Sequence, residues 1–374
     1  MVVSYIKRRE NMKKLIALLL ALVLCLSLCA CGGTAEDTTP TEPEAPKVED
    51  DGVTKILLIC HSLGVDSIFM FPDVCRNEGM EDMVIGFLYH SGCLVAQHVN
   101  YARANAPQYA YYEYDMSKQD EWLRADCNGN FAPCQAGAAN DIYIEDGSIA
   151  QTLEFGIKRH DWDKVILQAG SGESAGRKTS TYYKNEPGKE LNDFIQELRE
   201  YVLANDCEPG SVPTFSWNMV WSSPKDRSVR SDSLNLTLDT EYEGSEYVYY
   251  KAMSDVLKNT VEPAFEWEYV FPAGTTVQNL KSTKLASAEI HRDYAHVTDF
   301  GRLAVAYTWY CVMTGTAIED CKIPPMNSKV LLDKLSYNTG KDMELTEEYR
   351  AILIEAVGNA LKSPYDILPT QFAE

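Results

Sequence analysis

Several features are missing from this chain, and each absence narrows what it does. Its eleven cysteines never fall in the paired CxxC spacing of a zinc site, which argues against a bound metal. Positive charge is scarce: 34 Lys and Arg face 55 Asp and Glu, a formal net charge of −21. A surface of that sign repels phosphate backbones and anionic headgroups, which argues against nucleic acid or a polybasic membrane contact. No internal repeat is present. Long apolar runs are missing except at the start, where Leu15 to Leu28 falls short of the roughly 20 residues that a spanning helix needs.

That run comes after a basic segment (Lys7, Arg8, Arg9, Lys13, Lys14) and precedes Leu28-Cys29-Ala30-Cys31. A basic start, an apolar core and small residues before a cut are the parts of a secretory signal. Leu-Cys-Ala-Cys resembles a bacterial lipobox. Residues 1–30 are therefore expected to be a lipoprotein signal peptide, with Met12 as an alternative start and Cys31 as the lipidated residue. An uncleaved anchor is the other reading, and either one puts the domain outside the cytoplasmic membrane, at the cell surface. Residues 31–52, rich in Thr, Pro, Glu and Asp, bury too little to repay ordering and read as a disordered acidic tether. Loss of residues 1–30 leaves 29 basic against 54 acidic residues, net about −25. The membrane is then reached only through the lipid at Cys31.

The remaining stretch of about 320 residues is acceptable for one α/β domain with insertions. Lys55 to Cys60 is an apolar, β-branched run that ends in His61-Ser62-Leu63-Gly64, the pattern of a buried parallel strand delivering a serine to the edge of a sheet. Further strands are expected at Met83–Tyr89, Lys164–Gln168, Val212–Asn218 and Trp267–Phe271. Helices are expected over Ile68–Gly79, Ile149–Arg159, Leu191–Ala204, Val248–Val261, from Thr298 to Gly315, and over Glu347–Leu361. Residues 100–148, Ser171–Gly188 and Ser222–Ser245 read as loops at the rim of a site. Five strands separated by helices imply right-handed crossovers and a three-layer α/β/α sandwich around a five-stranded parallel sheet. Cys127 and Cys134 flank a Gly/Asn/Pro loop and are open to disulfide formation, whereas cysteines inside apolar runs, such as Cys60 and Cys311, read as packing.

An ester hydrolase needs a nucleophile, a base, an acid to orient that base, and donors for the oxyanion. Asp293 and His296, three apart in a turn before a helix, supply an acid and a base. Ser62 comes after the first strand, Gly92 after the second (in His90-Ser91-Gly92-Cys93), and Gln168 ends the third. Together these slots resemble the SGNH, or GDSL-like, hydrolase superfamily over roughly Lys55 to Gly315. The strings LYHSGCLVAQH, WDKVILQAGSGES, FPAGTTVQN and RDYAHVTDFGRLAVAYTW resemble an uncharacterised SGNH-like family of secreted and lipid-anchored bacterial proteins. The superfamily's Gly-Asp-Ser stands here as Cys60-His61-Ser62, and Gln168 is the nearest amide to its Gly-x-Asn-Asp block.

The resemblance implies a flavodoxin-like sandwich over 53–316, with 317–374 a helical extension packed on the same domain. It implies Ser62 as nucleophile, His296 as base and Asp293 as its orienting acid, with the N–H groups of Ser62 and Gly92 and the side chain of Gln168 as oxyanion donors. It implies no metal or cofactor. Its habits point to an acyl ester, acetyl above all, on a small molecule or polysaccharide; a non-catalytic glycan-binding lipoprotein on the same fold is the alternative. His61, Gln278 and Asn279 are expected to touch substrate, and the Ser62 hydroxyl to lie within roughly 3 Å of His296.

A rival serine, Ser174, sits in Gly172-Glu173-Ser174-Ala175-Gly176, a match to the α/β-hydrolase elbow. Three residues separate the motif from the strand, and the next four, Arg177-Lys178-Thr179-Ser180, are too polar for the helix that the elbow requires, so a glycine-rich rim loop is the plainer reading. Trp217 and Trp221, with Tyr109, Tyr111, Tyr112 and Tyr114, form either a sugar-stacking wall or local packing. His160-Asp161-Trp162-Asp163 reads as a cap between helix and strand.

Overall fold

The computed structural model describes residues 52–134, 150–205, 212–224, 238–323 and 345–373. The expected signal peptide, Cys31, nearly all of the tether and Cys207 lie outside the described residues.

The strands are β1 (Thr54–Cys60), β2 (Met83–Tyr89), β3 (Ala110–Asp115), β4 (Leu123–Ala125), β5 (Phe131–Pro133), β6 (Lys164–Leu167), β7 (Thr214–Asn218) and β8 (Val270–Phe271). They form one eight-stranded sheet in the order β5-β4-β3-β2-β1-β6-β7-β8. The five expected strands are all present and pair in parallel, β2-β1-β6-β7-β8. The sheet as a whole is mixed, however, because β3, β4 and β5 continue it antiparallel beyond β2. A purely parallel five-stranded sheet is therefore corrected to a mixed sheet of eight.

The added strands lie in residues 100–148, which read from sequence as a rim insertion. All six residues of β3 are buried, and the Tyr112 ring stacks on Phe87 of β2 with centroids 4.6 Å apart. Tyrosine-rich segments fit a half-covered pleated surface well, and cross-strand aromatic pairs stabilise it. Tyr109, Tyr111, Tyr112 and Tyr114, with Trp217 and Trp221, are buried core residues and form no sugar-stacking wall.

The helices gather into two groups. Ser62–Ile68, Phe71–Glu78, Ala273–Lys281, Asp299–Thr314 and Glu347–Lys362 pack among themselves, and Val95–Ala104 packs on Leu191–Ala204. The C-terminal helix Glu347–Lys362 buries Ile352, Leu353, Ala356 and Val357, so residues after 345 complete the core. Gly315 ends Asp299–Thr314 at φ 70°, the left-handed stop expected of a glycine there. The fifth parallel strand is shorter than expected, only Val270–Phe271, and the chain turns at once into a helix. Ser171–Gly188 holds two short helices, Ser171–Ser174 and Thr181–Asn185.

Register fixes what meets at the carboxyl edge. Cys60 pairs with Tyr89 on one side, and Ile59 with Leu167 on the other. Ser62, His90–Cys93 and Gln168–Gly172 therefore leave adjacent strands at one edge. The chain crosses from β1 to β2 on one side and returns to β6 on the other, so strand order reverses at β1, the kind of crevice where open α/β sheets bind ligands.

Candidate functional site

A cavity of about 380 Å³ opens at this edge. Ser62, His61, Gly92, the Gly170–Gly172 turn, Tyr294 and His296 are among the residues that line it. The structure thus brings together Ser62 and His296, which are 234 positions apart in the sequence.

Ser62 opens the helix Ser62–Ile68, and His61 caps that helix: its Nδ1 accepts the Leu63 N–H at 3.3 Å while Nε2 donates to the Ala169 carbonyl at 3.1 Å. One imidazole so ties the end of β1 to the residues after β6. Both ring nitrogens are engaged, which leaves His61 a wall of the cavity with no free polar atom for substrate. Burial pushes its pKa down to about 4, against the opposing Ala169 hydrogen bond, so the ring is neutral at physiological pH. Gly64 allows the helix to approach this closely, because a Cβ there would meet Cys60 Cβ at 2.4 Å and the Gln168 amide at 2.8 Å.

His296 sits in a short loop built around Asp293. Asp293 Oδ1 accepts the main-chain N–H of Ala295 and of His296, each at 2.8 Å, and its two oxygens lie 2.8 and 3.0 Å from His296 Nδ1. The carboxylate therefore fixes the Nδ1–H tautomer and leaves Nε2 as an acceptor. Burial alone would raise Asp293, but the hydrogen bond and charge of His296 hold it well below the usual carboxylate range. The loop is held from outside as well: Trp221 Nε1 donates to the Ala295 carbonyl at 2.7 Å.

The expected hydrogen bond between Ser62 and His296 is not made: among the described residues nothing joins the serine hydroxyl to the imidazole. Both side chains line the cavity, and catalytic contacts of this kind often tighten only when substrate is bound. The main-chain N–H of Ser62 starts a helix and that of Gly92 stands in a turn at φ 60°; neither donates to a described residue.

Gln168 does not reach the cavity. Its side chain is 1% exposed, and its Nε2 donates to the His61 carbonyl at 3.4 Å while Oε1 accepts Asn218 Nδ2 at 3.0 Å. Asn218 also donates to Ser67 Oγ and accepts from Trp309 Nε1, both at 3.0 Å. Gln168 is thus one strut of a buried polar network beneath the serine helix, not an oxyanion donor; its longer stem turns the amide under that helix. Gln278 and Asn279 likewise face inward from the helix Ala273–Lys281, Gln278 bonded to Ser222 and Asn279 to the Ala356 carbonyl. Neither lines the cavity, which corrects their assignment to substrate.

Ser174 is also accounted for. It ends a one-turn helix with its hydroxyl on the Ala169 carbonyl at 3.4 Å and does not line the main cavity. Its neighbour Glu173 is the residue that matters structurally. Its buried carboxylate accepts the N–H groups of Val95 (2.8 Å), Ala96 (3.3 Å) and Gly170 (3.3 Å) and the Tyr183 hydroxyl (2.7 Å). Burial raises its pKa despite these four donors. Sequence reasoning passed over Glu173, and also Asp66, Arg292 and Arg302, which line or brace the cavity. The one signal for Asp66 was its place as the acid four residues after Ser62 on one helix face.

Cys127 and Cys134 are free thiols. His160 meets Glu113 Oε2 at 2.9 Å, and Asp163 accepts the Lys55 N–H at 2.7 Å, so that turn joins strand ends. Among the described residues, no cluster of three or more His, Cys, Asp or Glu is arranged to hold a metal ion, and no helix is long and apolar enough to cross a membrane.

No protein-family model matches the chain, and no curated protein matches it. Among solved structures, a DUF4886 family protein from Bacteroides uniformis superimposes with a TM-score of 0.60 at 18% identity, over 86% of this chain and 100% of that one. At that identity the likeness speaks to the α/β fold alone.

Proposed function

We propose that the chain is a serine esterase of SGNH type, lipid-anchored at Cys31 outside the cytoplasmic membrane, which hydrolyses acyl esters, acetyl esters of carbohydrate above all. The parallel order β2-β1-β6-β7-β8 and the two helix groups fit the flavodoxin-like sandwich of that superfamily. One observation carries the reading: an Asp293-oriented His296 and the helix-initiating Ser62 line one cavity at the point where strand order reverses.

In this mechanism the Ser62 hydroxyl attacks the acyl carbonyl while His296 Nε2 takes its proton. Asp293 holds the imidazole and stabilises the imidazolium. The oxyanion is met by the N–H groups of Ser62 and Gly92. The proton then passes to the leaving alcohol, and water repeats the sequence to free the acid. Gly170–Gly172 and the exposed Tyr294 line the same cavity.

The missing Ser62–His296 hydrogen bond and the inward turn of Gln168 favour a second reading, a glycan-binding lipoprotein that keeps the cavity without the chemistry. Hydrolysis of p-nitrophenyl acetate and of acetylated xylan by the full chain and its Ser62→Ala variant separates the two. Loss of at least about a thousandfold in the variant is expected for the esterase. Activity that survives the substitution, or none in the parent, refutes it.

A further inference from the structure

Asp66 stands one helical turn beyond Ser62 and takes no part in the acyl-transfer chemistry. Its carboxylate is fully buried. Oδ1 accepts from Arg292 Nη1 at 3.0 Å and from Arg302 Nε and Nη2 at 2.8 and 2.7 Å, while Oδ2 accepts the Val297 N–H at 3.0 Å. Arg292 also donates to the Val297 carbonyl, and Arg302 also pairs with Asp299 at 3.3 Å. One side chain on the serine's helix therefore grips Arg292 and Val297, the residues just before and just after the Asp293–His296 turn.

Stability alone explains this poorly, since a buried ion pair is often no better than apolar residues of the same volume. What the pair supplies is a fixed geometric link. Ser62 and His296 themselves share no hydrogen bond, and Trp221 holds the histidine loop only at Ala295, from the loop after β7. Among the hydrogen bonds described, those at Asp66 join the serine helix to the histidine loop itself. We propose that Asp66 is a positioning residue that sets the separation of Ser62 from His296; the inference rests on the acyl-transfer reading of this site.

The test uses the full chain, with p-nitrophenyl acetate turnover and the rate of fluorophosphonate labelling as readouts. The variants are Ser62→Ala, Asp66→Asn, Asp66→Glu, Arg292→Met and the double Asp66→Asn/Arg292→Met. Displacing the loop by about 1 Å is expected to lower kcat roughly 10- to 100-fold in Asp66→Asn and to slow labelling to match, with KM held within about twofold. Asp66→Glu restores part of the loss. The double variant falls no further than the poorer single variant, because both substitutions release the same loop. A folded Asp66→Asn protein with parental kcat and labelling rate overturns the proposal, as do losses that multiply in the double variant. If Asp66→Asn does not fold, Arg292→Met decides alone, since it leaves the Asp66–Arg302 pair in place; its expected kcat loss is the same. Turnover and labelling that persist in Ser62→Ala remove the acyl-transfer reading and this inference with it. Their loss in Ser62→Ala but persistence in Asp66→Asn and Arg292→Met removes this inference alone.

Discussion

Replacing His61 with Asn should weaken the protein at neutral pH and hardly at all at mildly acidic pH. Asn keeps an acceptor for the helix N-cap, but its shorter side chain gives up the bond to Ala169. The buried Ala169 carbonyl then keeps only the long bond from the Ser174 hydroxyl at 3.4 Å, and a buried acceptor so poorly satisfied costs about 1–3 kcal/mol, so the variant should be weaker by roughly 2 kcal/mol at pH 7. The parent, however, carries a pH-dependent cost of its own. Burial lowers the folded-state pKa of His61 to about 4, against roughly 6.5 in the unfolded chain. In the window between those values the unfolded chain binds a proton that the folded chain does not, so parental stability falls as pH falls. Between pH 7 and pH 5 that loss is about 2 kcal/mol, and Asn, which does not titrate, is spared it. The gap between parent and variant should therefore nearly close by pH 5, as measured by urea unfolding at both values. A gap that stays constant or widens on acidification would mean that the imidazole is not held neutral between helix and carbonyl.

The same geometry sets other outcomes. Asp293→Asn should lower kcat by about 10⁴-fold, through loss of the Nδ1–H tautomer, and should also unfold more readily near neutral pH, because the folded state favours the charged carboxylate that it removes; burst and steady-state kinetics with urea unfolding check it. Ser174→Ala should keep esterase activity within about twofold, since a hydroxyl resting on a carbonyl outside the cavity contributes to neither binding nor chemistry. Peptide mapping of a fluorophosphonate-labelled sample should correspondingly find Ser62 and not Ser174. Gln168→Leu should unfold more readily by about 1–3 kcal/mol, because Asn218 loses a buried partner. Measured well below its unfolding midpoint, that variant should escape the 10²- to 10³-fold loss in kcat that removal of an oxyanion donor brings.

The parallel strands were legible because each is a short run rich in apolar residues that gives way within a few positions to Gly, Ser, Asn or Pro. Leu191–Ala204 and the helix after Thr298 carried both a 3.6-residue stripe and end signals, and their bounds fell where expected. The antiparallel extension was missed because Tyr alternates with Glu and Asp in Tyr112–Asp115, and this disguised a buried strand as a polar loop. At the site, Asp293 and His296 were readable because their hydrogen bond is local. Gln168 was misread because its position in the chain is right while its amide turns beneath a helix, a choice made by Asn218, fifty residues away. The part played by Asp66 was hidden for a similar reason: its partners lie 226 to 236 residues downstream.

The two ends of the sheet have a bearing on how the protein behaves in a crowd. Among the described residues the outermost strands are among the shortest: β8 has two residues and β5 three, the last of them Pro133. A border so brief offers a neighbouring copy few unpaired amides to zip against, and proline withholds one donor outright. Where copies of the chain are crowded together and collide often, such blunt borders would keep neighbours from fusing into a continuous ribbon.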